Sequence, residues 1–422
     1  MKNIINCLLI LTIAGFMVIP ASCNKDDNKG QPVDPGDPVA ISTEIYQKEV
    51  IDSANKFAFD LFGPILADTK GAGNIMISPF SISSALSMTL NGAAGETFDA
   101  MKKALRLDGK TIGQINETYL KLMSEMVPVD ERVVLEIANS VWVEKRLIVK
   151  QKFMTDVQNW YKAEALGIDV KDPDAVNIVN GWIEEKTHDK ITDMLDYLDP
   201  DLAMLLINAI YFNGKWRYQF DTADTKEEPF YVEPSAPKNV PMMHQEENLK
   251  SAKEGNLTIV DIPYGQGNYS MLVVLPDQGI TTGEIANALT PARWTGWLEL
   301  LDINTHKVEI SMPRFKYAYK RLLNKDLINL GMGVAFSDWA DFSNISDQAL
   351  QISRVIHQSF IETNEEGTEA AAATIVEMVF TTIGSEPSPW KIDIDRPFLY
   401  FIHENSTGTI LFMGKVGDPT VG

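Results

Sequence analysis

The period of the apolar positions changes several times along the chain, and each change predicts an element. Ala54, Phe57, Ala58, Leu61 and Phe62 recur at helical spacing and predict a first amphipathic helix, in a folded part that starts near Ile41. Ser78 ahead of Pro79 supplies an N-cap and a proline at the first helical position, and the helix they open is apolar enough to be buried. Helical patterns return at 97–107, 112–127, 150–165, 173–188 and 322–330. Strands are predicted over 133–143 and over the unbroken apolar run 202–212, which suits burial on both faces. From Lys238 onward strands dominate, at 240–244, 257–263, 269–275, 308–315, 396–402 and 409–416, and the stretch 350–363 leads into the segment described next.

One stretch admits two readings. Glu365-Glu366-Gly367-Thr368-Glu369-Ala370-Ala371-Ala372-Ala373-Thr374 leads from acid into glycine, and then into side chains of almost no volume. Alanine is the best helix former, and Glu365, Glu366 and Glu369 suit a first turn, so propensity favours a helix. A strand fits the same residues. Alternate side chains of a strand share a face, so Thr368, Ala370, Ala372 and Thr374 would present small uncharged groups on one side, with Glu369 on the other. Such a face can slide between two existing strands, and Gly367 stands where the segment would pivot.

This stretch resembles the hinge of the reactive-centre loop of serpins, the serine protease inhibitor family, and other motifs follow in that family's order. Asn208-Ala209-Ile210-Tyr211-Phe212-Asn213-Gly214-Lys215-Trp216 is similar to a strand of the family's central sheet, Met312-Pro313-Arg314-Phe315 to another strand, and Gly408 to Lys415 to the final strand. The resemblance runs from about residue 45 to 419. It implies an α+β fold with about three β-sheets, one of them large and central, eight or nine surrounding helices, and an exposed reactive-centre loop at about 365–390. It also implies one domain over 44–422, where length alone would suggest two or three. By the same resemblance Ser78, Ser81, Asn208 and His357 form the shutter beneath the sheet, with His357 paired to Asn208. Trp216 would mark the breach, where the loop first enters. Capping alone would account for the two serines, and core packing for the tryptophan.

The N-terminus carries its own signals. Residues 1–22 read as a secretory signal peptide: Lys2, an apolar run from Ile4 to Ile19, then Pro20-Ala21-Ser22. Cys23 resembles the acylated cysteine of a bacterial lipoprotein, although Pro20 stands where that motif has leucine. An ordinary signal peptide with a chance cysteine is the alternative. Residues 23–43, mostly Asn, Asp, Lys, Gly and Pro, then predict a lipidated, disordered tether. Asn24-Lys25-Asp26-Asp27 resembles the acidic signal that sends some lipoproteins of Gram-negative bacteria to the cell surface. The expectation is an exported monomer, lipid-anchored to the outer membrane and surface-exposed, with a periplasmic or secreted protein as the alternative.

Composition narrows the partners. The 422 residues carry a formal net charge of −21, which argues against nucleic acid, and against an anionic membrane surface except through a lipid anchor. Cys7 and Cys23 are the two cysteines, so the folded part has neither disulfide nor thiol nucleophile. His188, His244, His306, His357 and His403 are scattered and form no HExxH pair. Gly408 to Lys415 is a residue too long for a phosphate loop, and Gly384-Ser385-Glu386-Pro387 is no nucleophile elbow. No catalytic residue, metal or cofactor is expected.

The resemblance implies a suicide substrate instead. A target protease attacks the loop, and the acylated loop inserts as a new strand that carries the protease to the far end. Family spacing from Glu365 puts the reactive bond at about Thr381–Thr382, with Phe380, Val379 and Met378 as alternatives. Between Val355 and Trp390 there is no Lys or Arg, so a trypsin-like pocket has nothing to grip. Elastase-like, chymotrypsin-like and subtilisin-like serine proteases are the expected partners, with cysteine proteases as an extension. The alternative is a non-inhibitory serpin, acting as a binding module or as a mere protease substrate, and the small uncharged hinge face argues against it.

Overall fold

Ser78 caps its helix as its position implies, its side chain accepting from the Ser81 amide, and similar local rules set many elements of the structure. The structure, a computed structural model, describes residues 36–69, 73–368 and 388–421. Its first half runs α1 (Ile45–Asp68), β1 (Ile75–Ile77), α2 (Pro79–Leu90), α3 (Gly95–Ala104), α4 (Ile112–Met126), β2 (Val133–Glu144), α5 (Gln151–Tyr161), β3 (Glu164–Ile168), α6 (Ala175–Lys186) and β4 (Met204–Lys215). Next come β5 (Lys226–Glu233), β6 (Ala236–Glu254), β7 (Leu257–Tyr264), β8 (Tyr269–Pro276), α7 (Thr282–Asn287), α8 (Pro291–Asp302), β9 (Thr305–Pro313) and β10 (Phe315–Leu322). The chain closes with α9 (Asn324–Leu327), β11 (Ile356–Thr363), β12 (Gly367–Thr368), β13 (Trp390–Asp393), β14 (Phe398–Glu404) and β15 (Ile410–Val416). Among the described residues no helix is long and apolar enough to cross a membrane.

Several expected elements are corrected by tertiary contacts. The helix over 150–165 stops at Tyr161, where Lys162 takes a left-handed backbone (φ 55°) and the chain turns into β3, which pairs in parallel with β2. The strand over 308–315 is divided at Arg314: β9 ends on Pro313, which has no N–H for a ladder, and β10 starts in the other sheet. Within the stretch 350–363 that leads into the turn, β11 begins at Ile356. The helix over 322–330 shortens to α9 and a wider turn ending at Met332. In the strand-rich half, α7 and α8 were not anticipated. Their signals are nonetheless local: a reciprocal Thr281/Glu284 capping box, and Thr290 capping a helix with Pro291 in its first turn.

Hydrogen bonding defines two sheets among the described residues. A nine-stranded sheet runs β1-β15-β14-β8-β7-β6-β9-β13, with β5 also on β6. β6 bonds β5 and β9 along its first part and β7 along its last, so this sheet divides there into two parts. β6 thus joins into one sheet, among the described residues, strands that the resemblance would spread over two. The second sheet is six-stranded, β10-β11-β12-β4-β2-β3. Ile210 and Phe212 of β4 enter the main core on one face, while Ile207 and Ala209 enter a second apolar cluster with α6 on the other. That is the two-sided burial its unbroken apolar run requires, although Met204, Leu205 and Leu206 at its start are only half-buried.

The packed chain begins ahead of the boundary expected at residue 44. Asn268 exchanges two hydrogen bonds with the Val39 backbone, at 3.2 and 2.6 Å, and Ile41 is buried. An asparagine amide can serve both backbone groups of one residue, which holds the segment without secondary structure.

Candidate functional site: the hinge and the cleft

β11 does not end the sheet at its C-terminus. The chain turns tightly through 364–367, where Asn364 and Gly367 exchange backbone hydrogen bonds of 2.9 and 3.3 Å, and returns as β12. This short strand lies antiparallel to both neighbours, with Thr368 opposite Thr363 of β11 and Gly214 of β4. Here the structure decides for the strand reading of Gly367 and Thr368. Gly367 is required by close approach, since a Cβ there would stand 2.1 Å from the Gly214 carbonyl oxygen. Thr368 is buried on the core face, its hydroxyl 2.6 Å from that of Tyr264. Glu369, Ala370, Ala371, Ala372, Ala373, Thr374, the reactive-bond candidates Phe380, Thr381 and Thr382, and Cys23 lie outside the described residues.

The turn is anchored by Trp216 and its neighbours. The Trp216 amide donates to the Glu366 carbonyl at 2.7 Å, its indole Nε1 to the Asn364 carbonyl at 2.9 Å, and the Phe220 amide to the Glu365 carbonyl at 2.9 Å. The indole is fully buried and stacks on Tyr264, with centroids 4.4 Å apart and planes 10° from parallel. Trp216 is therefore both a packed aromatic and an anchor for the turn into β12. Glu365 is buried, accepting from Arg314 Nε at 2.8 Å and from Thr225. Burial works against its ionisation, but the hydrogen bonds from Arg314 and Thr225 and the Arg314 charge outweigh it and hold the carboxyl below the usual range.

Past β12, β4 and β11 do not pair with one another. They border a cleft of about 360 Å³, with Ser81, Asn208 and His357 among its lining. The four residues expected to form the shutter are thus near one another, but Asn208 and His357 are not bonded as expected. His357 Nε2 accepts from the Ser78 amide at 3.1 Å, and Ser78 Oγ donates to the Leu411 carbonyl at 2.7 Å. Asn208 Nδ2 donates to Asn139 Oδ1 at 2.7 Å instead of meeting His357, because the cleft stands between their strands. Burial alone pushes the His357 imidazole down to about 4, so it is neutral and serves as an acceptor.

Three members of this site escaped the sequence reading: Tyr264, Arg314 and Asn139. Tyr264 precedes the turn glycines Gly265 and Gly267, and Arg314 follows Pro313 between two sheets, but neither position states its partner.

This is an α+β protein whose six-stranded sheet is interrupted by a cleft, with a hairpin turned into one end of it. Residues 52–419 match the family described as Serpin (serine protease inhibitor). The chain belongs to the serpin family. It is 36% identical over 388 residues to the leukocyte elastase inhibitor of Sus scrofa, covering 88% of this chain and all of that one. It is 34% identical over 382 residues to a serpin-like protein of Methanosarcina acetivorans, covering 88% of each. The crystal structure of tengpin, a thermophilic serpin in the native state, superposes with a TM-score of 0.79 at 32% identity, covering 91% of this chain and 97% of that one. Human glycosylated kallistatin superposes equally well, at 28% identity.

Proposed function

We propose that this protein is an inhibitory serpin, a suicide substrate that traps elastase-like or chymotrypsin-like serine proteases covalently. The observation that carries the reading is β12, which lies antiparallel between β11 and β4 with its small side chain toward the core. An inserted strand that kept the register of Thr368 would bring Ala370 between Phe212 and Ile361, Ala372 between Ile210 and Ser359, and Thr374 between Asn208 and His357. Each is small enough to enter a packed face. Similarity to the leukocyte elastase inhibitors supports the target class.

The protein supplies a peptide bond and a place to store the product. The protease serine attacks the carbonyl carbon of Thr381, the bond to Thr382 breaks, and the amine leaves on the C-terminal piece. Insertion of the acylated strand between β4 and β11 gives new ladder hydrogen bonds and apolar burial, and must outrun hydrolysis of the ester. Mixing the full chain with pancreatic elastase or chymotrypsin tests this. A band at the summed mass that survives denaturant is expected, with mass spectrometry of the released peptide fixing the bond cut. Clean cleavage by proteases of every class tried would leave a non-inhibitory protein.

The sequence also supports export and acylation of Cys23 at the outer membrane, with the inhibitor displayed as a monomer. Palmitate labelling that is lost in Cys23→Ser is the expected result.

A further inference from the structure

The segment ahead of α1 crosses the turn between β7 and β8. Gly36 lies against the Gln266 side chain, and Pro38 stands over Gly267. Asn268 serves both backbone groups of Val39, Ser406 Oγ accepts from the Ile41 amide at 2.9 Å, and the Ile41 side chain enters the main core. Residues 37–40 are exposed, so hydrogen bonds rather than burial hold this part of the chain.

The turn it crosses is bound on its other flank to the residues that hold the turn into β12. Arg217 Nη1 donates to the Gly36 carbonyl at 3.0 Å and also to the Gln266 carbonyl, so one guanidinium joins the N-terminal segment to the turn. The Arg217 amide donates to the Pro263 carbonyl at 2.8 Å, and the Gly265 amide to the Lys215 carbonyl at 2.8 Å. Between Lys215 and Arg217 stands Trp216, whose amide and indole reach Glu366 and Asn364, while Lys215 itself pairs with Gly367. On the inner side the buried Asp130 accepts from the Gln266 amide at 2.7 Å, and its carboxylate fills the space that a Cβ on Gly265 would need.

We infer that residues 36–41 are a strap that fixes the β7–β8 turn and, through Arg217, sets how firmly Trp216 holds the turn into β12. The strap acts in the intact chain, whatever becomes of the loop beyond Thr368. Two routes carry its effect. One is the main chain of residues 215–217, which is bonded to the β7–β8 turn on one side and to residues 364–367 on the other. The second is the Tyr264 ring, which stacks on Trp216 and places its hydroxyl 2.6 Å from that of Thr368. Lifting the strap takes away the Gly36 carbonyl and frees the Arg217 side chain, and a side chain with more freedom positions its neighbours less well. A cut or a bound partner ahead of Ile41 then loosens a turn that it does not touch.

The test is amide hydrogen exchange of the uncleaved full-length chain, read by mass spectrometry on peptides spanning residues 214–221, with β15 as the reference. Gly36→Val forces a β-branched residue to a φ of 83° and sets its Cβ against Gln266, which displaces the strap from its solvent side. Asn268→Ala removes both bonds to Val39 from the side of the turn. Each is expected to speed exchange of the Trp216 and Phe220 amides about fivefold, as the loss of one ordinary hydrogen bond would, with β15 unchanged. Unchanged exchange at those two amides would overturn the inference and leave a segment that holds only its own turn. An equal rise in β15 would overturn it too, because the effect would then be one of global stability.

Discussion

At the Trp216 end of the cleft the turn into β12 is held by backbone bonds to Trp216 and Phe220, by the indole on Asn364, and by Arg314 on Glu365. At the His357 end β4 and β11 stand apart, and the Asn208 Oδ1 and Gln358 Oε1 atoms are buried without a partner among the described residues. A buried acceptor left unmatched costs about 1–3 kcal/mol. The first end therefore fixes where an added strand begins and in which register. The second end leaves polar groups whose satisfaction would reward its arrival.

Breaking the anchored end should have the largest effect. Thr368→Arg places a guanidinium on a buried, core-facing position with no carboxylate designed for it, at a cost of about 3–5 kcal/mol. The denaturant-stable protease complex is expected to fall more than tenfold, with cleaved chain in its place, measured by gel densitometry. Unchanged trapping would sink the insertion mechanism. Gly367→Val meets the Gly214 backbone and should displace the turn, seen as faster nicking of the hinge in limited proteolysis.

The open end should show itself in pH dependence. His357 is neutral in the fold, with its affinity for protons lowered by burial to about 4 from the ordinary 6.5. Below pH 6.5 the unfolded chain binds a proton that the folded chain refuses, so stability falls as pH drops, by roughly 3 kcal/mol at pH 4. Glu365, held below the usual carboxylate range, acts in the same direction at lower pH still. Denaturant melts from pH 7.5 to 4 are expected to show a slope that flattens in His357→Asn. The smallest effect belongs to Asn208→Ala, which breaks the bond to Asn139 but also removes an orphaned acceptor. Its midpoint should move by less than the equivalent of about 1 kcal/mol.

Much of the anchored end was legible in the sequence, and little of the open end. The strand reading of Gly367 and Thr368 was available from the sequence, because side-chain volume at alternate positions is a local property. Trp216 could be placed because it closes a motif nine residues long, Asn208 to Trp216. What His357 bonds to was not legible. Its partner, Ser78, stands 279 residues away, and the choice between Ser78 and Asn208 turns on how far apart two strands lie. β3 was lost to a helix for the same reason, since parallel pairing with β2 overrides the local pattern. α7 and α8 were readable from their caps and were hidden only by the strands around them.

The contact of Gly367 with the β4 backbone divides the chain by its tolerance to change. Every other L-residue at 367 brings a Cβ into the Gly214 carbonyl, and a Cβ at Gly214 would itself meet Phe212 and Tyr264 at 2.9 Å. Neither glycine can drift alone, and no side chain on one makes room for the other. Under the function proposed above, the two glycines would therefore be fixed by their contact with the sheet, while the residues read by a protease would be free to differ.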